Sequence, residues 1–308
     1  ITIIGSGSLA ARLVGQTTQD SNKLFRVTKV IGSGKPWELQ RMQCLKRLGC
    51  FRFELITLRS ENFRMTCGIL DDTDIIIICN DDFDSEVKEL LLKEYAAFKG
   101  VVIVCTAQAV GSFIAPPYSE PTSLVKCEMF PLSKGVYYHG NCLQSGLAPF
   151  LGSLRGNLHQ VGVRALMLPR SLPSYPTATK LFGSHFPPKA YVNLQKELLS
   201  KIAGVAVDLE IKESTGLAFY EVDLNLHLNN DVDLPKQINT SEIAWYNDMS
   251  WSSVNNLYEY IIEPSLQIGM LPPQIIVYRY SKKELFISMS LAIHHPTVTP
   301  WSILRVVK

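Results

Sequence analysis

The first fourteen residues, ITIIGSGSLAARLV, constrain the fold more than any other stretch. A β-branched run from Ile1 to Ile4 meets Gly5-Ser6-Gly7-Ser8-Leu9-Ala10 and then a Leu/Ala pattern at helical spacing. That is the strand, tight turn and helix of a dinucleotide-binding unit. Each residue type has a physical role in this reading. Gly5 can take the backbone angles of the turn, Gly7 lets a pyrophosphate approach the main chain, and Ala10 permits close packing of helix on strand. The helix N-terminus then points at the phosphates.

Downstream, strand-like and helical stretches alternate, with strands over 25–31, 53–58, 74–79 and 101–105 and helices over 37–48 and 84–98. The apolar runs DIIIIC and GVVIVC suit strands buried on both faces, so this half is predicted to be a doubly wound α/β domain with a parallel sheet. From Gly162 the texture changes to longer alternating strands, GVRALMLP, GLAFYEVDLNLHL and EIAWY, with a helix over 189–202 between the first two. The second half is therefore an α+β domain with a mainly antiparallel sheet.

Composition narrows the function classes. At 308 residues with 46% hydrophobic content, the chain is long enough for two separate cores. Thirty basic and 28 acidic residues are interspersed, for a net charge of +2, and no charge block marks a nucleic-acid partner. The seven cysteines are scattered, with no CxxC pair, which fits a reducing intracellular compartment and argues against a zinc site. His294-His295 has no third ligand at short spacing and reads as a solvent-facing pair, so no metal is expected. No run approaches the ~20 apolar residues of a membrane span. The chain opens at Ile1, without Met, directly on a strand, which implies an upstream segment and leaves cytoplasm and an organelle matrix such as the mitochondrion both open.

Four stretches together carry a resemblance: the opening GSGSLAARLV; Asn141-Cys142 followed by Leu147-Ala148-Pro149; FYEVDLNLHL; and AWYNDMSWSS. In order and spacing they resemble the glyceraldehyde-3-phosphate dehydrogenase family over roughly residues 1–265. There a Rossmann-type domain precedes a catalytic domain whose first helix begins at a nucleophilic cysteine. The resemblance implies a Rossmann-like domain over 1–141 and 246–265, a catalytic-type domain over 142–245, and a C-terminal β extension over 266–308. It also implies that the second domain's first helix starts at Cys142, that Trp245 and Tyr246 end a strand, and that 251–262 returns to the Gly5–Ala10 unit.

Carried over position by position, the resemblance gives one intact catalytic element. Cys142 falls where the family has its nucleophile, at a helix N-terminus that favours thiolate. The position of the family's catalytic histidine holds Ser171, and the loss of an imidazole base costs about 10²–10⁴-fold in rate. His139 and His185 are read as ordinary surface or loop residues. Two alignments of the family's phosphate-binding Arg give Asp208 or Glu213, and a carboxylate repels a substrate phosphate. The ribose-binding acid is replaced by Gly32, Ser33 and Gly34, with Lys35 beyond, which leaves room for a 2′-phosphate. Asp81 and Asp82 stand beside the expected cofactor. Asp248 replaces the nicotinamide-holding Asn, with Asn247 adjacent.

These losses agree in direction, so the expected function is a catalytically inactive, dehydrogenase-like subunit of a larger assembly. Cys142 is then a remnant, and Gly5, Gly7, Ala10, Ser33, Lys35 and Asn247 form a vestigial cofactor site. No bound cofactor is expected, with NAD or NADP as the candidates if there is one. The alternatives are an NADP-linked aldehyde oxidoreductase using Cys142 and a non-catalytic dinucleotide sensor. The last forty residues, with PQIIVYRYSKKELFISMSLAI read as two strands joined by a Ser-Lys-Lys-Glu turn, are expected to meet other protein subunits or a second copy of the chain.

Overall fold

The structure is a computed structural model that describes residues 1–5, 8–19, 26–32, 36–47, 53–57, 70, 72–79, 98–105, 135–139, 141–167, 186–187, 189–213, 219–238, 243–246, 273–294, 298–299 and 303. The chain divides into two compact units. One comprises Ile1–Thr122, Glu128–Asn141 and Pro300–Lys308; the other comprises Ser123–Cys127 and Cys142–Thr299.

In the first unit six strands form one parallel sheet: β1 (Thr2–Ile4), β2 (Lys29–Gly32), β3 (Glu54–Thr57), β4 (Ile75–Ile78), β5 (Val101–Val104) and β6 (Gly135–Tyr138). Their order is β3-β2-β1-β4-β5-β6, so the winding reverses direction between β1 and β4. Continuous apolar runs are what a parallel strand covered on both faces requires. Ile3 and Ile4 point to opposite faces, and both are fully buried. Helix α1 (Ser8–Gln19) brings Ala10, Leu13 and Val14 into a core with Ile3, Ile77 and Ile103, and α2 (Pro36–Arg47) adds Met42. Ile303, from the far end of the chain, is fully buried in the same core. Strand β6 was not foreseen from the sequence, and the expected helix over 84–98 lies outside the described residues.

The second unit holds α3 (Cys142–Ser153), β7 (Leu158–Met167), α4 (Lys189–Ala203), β8 (Val207–Glu213), β9 (Tyr220–Leu228), the short α5 (Leu234–Gln237), β10 (Ile243–Trp245), β11 (Ile275–Lys283) and β12 (Phe286–Ile293). Its six-stranded sheet runs β10-β11-β12-β9-β7-β8. The β11/β12, β12/β9 and β9/β7 pairs are antiparallel, while β10/β11 and β7/β8 are parallel, so the sheet is mixed. Strict alternation sets its faces: Val222, Leu224, Leu226 and Leu228 of β9 are buried, whereas Asp223 and His227 between them are exposed. Helix α4 follows β7 and precedes β8, as a parallel pair demands. Helix α3 is buried around most of its circumference, from Leu143 to Leu151.

Two expectations about the C-terminal segment need correction. The 275–293 hairpin is not an extension beyond the second domain. It sits inside that unit's sheet, with β12 hydrogen-bonded to β9 along its whole length and β11 to β10. Burial explains the placement, because Val277, Ile287, Met289, Leu291 and Ile293 are all essentially inaccessible to solvent. The turn also lies later than Ser-Lys-Lys-Glu: Lys283 pairs with Phe286, leaving Glu284 and Leu285 as a two-residue loop. Tyr246 follows β10 directly, and its amide donates to the Val277 carbonyl at 2.8 Å. Residues 247–272, including the expected helix over 253–262, are outside the described residues.

Candidate functional site

In the first unit, the strand-turn-helix opening has the local geometry its glycine predicts. Gly5 has a φ of 109°, a left-handed value that a side chain would strain, and its amide donates to the Ile31 carbonyl at 2.7 Å. Ala10 is completely buried in the first turns of α1, where a larger side chain would push the helix off the sheet. Gly7, Ser33 and Lys35 lie outside the described residues, as do Asp81 and Asp82. Strand β2 ends at Gly32. His139 is buried rather than surface-lying, with its amide bonded to the Val104 carbonyl at 2.9 Å.

In the second unit, Cys142 is the first residue of α3 and is half-buried. Two hydroxyls meet its sulfur. Thr299 donates its hydroxyl proton to Cys142 Sγ over 3.2 Å, and Ser145, one turn into α3, lies 3.5 Å from the same Thr299 oxygen. Tyr220, the first residue of β9, hydrogen-bonds the Cys142 side chain. Burial holds the Tyr220 phenol well above its ordinary range, reinforced by charge on Cys142, Tyr191 and Glu213. Below α3's first turn, Gln144 donates to Gln195 of α4 at 2.6 Å in a fully buried contact.

Of the two acids proposed at the phosphate-binding position, Asp208 is exposed on β8, opposite Gly162. Glu213 ends the same strand and is the acid whose charge reaches Tyr220. His294 departs from the solvent-facing reading: it is buried, its ring centroid lies 5.5 Å from that of Phe219, and its amide donates to the Gln274 carbonyl. The cause is its place immediately after the buried end of β12. Ser171, His185, Asn247, Asp248 and His295 lie outside the described residues. Among the described residues no three His, Cys, Asp or Glu side chains come together as a metal site, and no helix is long and apolar enough to cross a membrane.

Sequence reasoning missed Tyr220 and Thr299. For Tyr220 a signal was present, because it shares the parity of Val222 and Leu224, which places it on the buried face of β9. Thr299 is 157 residues from Cys142, and nothing local announces the contact. No protein-family model matches the chain, and no curated protein matches it significantly.

Proposed function

We propose that the chain is a divergent, catalytically inactive relative of the glyceraldehyde-3-phosphate dehydrogenase family that keeps a Rossmann-type scaffold and serves as a structural or interaction subunit. The strand order β3-β2-β1-β4-β5-β6 with a positive-φ glycine after β1 supports the scaffold. The start of α3 at Cys142 supports the alignment of the second unit. The observation that carries the reading is the character of the partners at the sulfur. Cys142 meets the hydroxyls of Thr299 and Tyr220, and neither takes up a proton near neutrality as an imidazole would. The 275–293 hairpin, which pairs within its own sheet, no longer argues for a partner; the interaction role rests on the hydroxyl character of these two described partners of Cys142 and on Ser171 at the position of the family's histidine.

Calorimetric titration with NAD and NADP at physiological salt, alongside an aldehyde oxidation assay, tests this reading. The expected result is no binding heat and no nicotinamide reduction, with the native protein eluting in a complex larger than a monomer. Near-stoichiometric copurified NAD or NADP, or turnover, would overturn it. The second reading, an NADP-linked aldehyde oxidoreductase, draws on the half-exposed thiol at a helix N-terminus. Trapping an acyl-thioester on Cys142 by mass spectrometry would establish it.

A further inference from the structure

We propose that Cys79 and Cys105 form a redox-modification site at the carboxyl edge of the first unit's sheet, where a hydroperoxide joins them in a reversible disulfide. Ile78 of β4 pairs with Val104 of β5, and Val104 pairs with Tyr138 of β6. The hydrogen bonding continues one residue further on each strand. The Cys79 amide donates to the Ile4 carbonyl at 2.7 Å, that of Cys105 to the Ile78 carbonyl at 2.9 Å, and that of His139 to the Val104 carbonyl at 2.9 Å. Cys79, Cys105 and His139 therefore occupy one row across adjacent strands, beside the Gly5 turn.

Parity settles the face. Cys79 and Cys105 follow Ile77 and Ile103 by two residues, and all four pack on the same core. Neighbouring strands lie about 4.8 Å apart, within the roughly 4.4–6.8 Å between Cα atoms that a disulfide spans. The other described cysteines have no such neighbour, because Cys44 is exposed on α2 and Cys142 belongs to the second unit.

The two thiols are not equivalent. Burial pushes the Cys79 thiol far above its ordinary range, so it keeps its proton until it reacts. Cys105 stands between Cys79 and His139, next to an imidazole, the side chain best suited to accept a proton near neutrality. Cys105 is therefore the thiol oxidised first. Its proton passes to His139, and its sulfur attacks one peroxide oxygen. The O–O bond breaks, and the leaving hydroxide takes the proton from His139 as water. The Cys79 sulfur then attacks the Cys105 sulfenic acid: the S–S bond forms, the S–O bond breaks, and the hydroxyl leaves with the Cys79 proton as a second water. Two electrons pass from the dithiol to the peroxide. The linkage fastens the ends of β4 and β5 together, and a small thiol reverses it.

The test is peptide mapping of the full chain after exposure to hydrogen peroxide, with remaining thiols blocked by iodoacetamide under denaturing conditions. The expected product is a linked Cys79–Cys105 peptide pair, lighter by two hydrogens than its separate parts, that dithiothreitol splits. It should form equally in Cys142→Ala, whose altered residue lies in the other unit. In Cys79→Ala the reaction should stop at the sulfenic acid, seen as a dimedone adduct on Cys105. His139→Gln should slow the linkage about 10²-fold while leaving alkylation of the exposed Cys44 unchanged, and circular dichroism checks that each variant is folded. Unlinked Cys79 and Cys105 in the oxidised wild type, linkage of either to a different cysteine, or an unchanged rate in folded His139→Gln would overturn the proposal. If the variants fail to fold, the wild-type map decides alone. Neither NAD binding nor turnover enters the readout, so it can fail while the scaffold reading stands, and the reverse.

Discussion

Gly146 of α3 lies directly against Ile293 of β12: a Cβ built on the glycine would stand 2.5 Å from Ile293 Cδ1 and 2.8 Å from its Cγ2. Ile293 is fully buried and cannot swing aside. The helix that begins at Cys142 therefore rests on the strand that pairs Ile293 with Tyr220, and a missing side chain sets how closely.

Gly146→Ala should destabilise the second unit by about 1–3 kcal/mol through overpacking, even though alanine favours helix by up to ~1 kcal/mol. Ile293→Val removes the nearest atom and should recover part of the loss. Urea midpoints for the two single variants and the double variant give the coupling, which should be favourable. Additive effects would show that the close approach has no energetic consequence.

Glu284 opens the two-residue hairpin loop with a φ of 48°, in the region where a non-glycine residue is strained. Two-residue loops whose first central position has positive φ favour glycine there. Glu284→Gly should stabilise the protein by roughly 0.5–1 kcal/mol, since the strain it relieves exceeds the added flexibility of the unfolded chain. A lower thermal midpoint for the variant would contradict this.

Glu221 of β9 accepts a hydrogen bond from the Tyr278 hydroxyl at 3.2 Å, next to Asp223, which accepts from Ser290 at 2.7 Å. Burial raises the Glu221 carboxyl pKa, with Asp223 adding to the effect and the Tyr278 bond and Arg279 opposing it. A folded-state pKa above the unfolded value means that the ionised form costs stability. The cost is present above the raised pKa and fades as pH falls through it. Glu221→Gln keeps an oxygen for Tyr278 and should raise stability at pH 7 to 8. Its advantage should disappear in the acidic range, as denaturation midpoints measured across pH would show.

The Gln144–Gln195 bond joins α3 to α4 between two buried side chains. Gln144→Leu removes the donor and leaves the Gln195 oxygen without it, at a cost of about 1–3 kcal/mol. Adding Gln195→Leu should restore part of that stability, because two apolar groups make no unmet demand. If the double variant is as unstable as the sum of the singles, the bond is not the source of the loss.

Local chemistry was enough to place most of the strands described. The runs IIII and VVIV became β4 and β5, and the helix at Cys142 began at the expected residue. The hairpin shows where local reading stops. Its two strands were recognised, yet their neighbours were not, because β12 pairs with β9 through residues such as Ile293 and Tyr220 that lie far apart in the chain. A central strand and an edge strand look alike in sequence when both carry apolar residues. The Thr299 hydroxyl at Cys142 was hidden for the same reason, 157 residues away, whereas Tyr220 was marked by its parity with Val222 and Leu224.

Ile303 shares the first unit's core with Ile1 and Ile3, although the whole second unit's main segment is encoded between them. During synthesis at ~5–20 residues per second, the interval between Ile3 and Ile303 is about 15–60 s. Throughout it, the nascent first unit lacks one of its interior side chains, while the strands that build the second sheet are already being made. The order of translation therefore lets the later-encoded unit close before the earlier one, and a stall before the Ile303 codon would leave the first unit's core short of one buried side chain and open to chaperones.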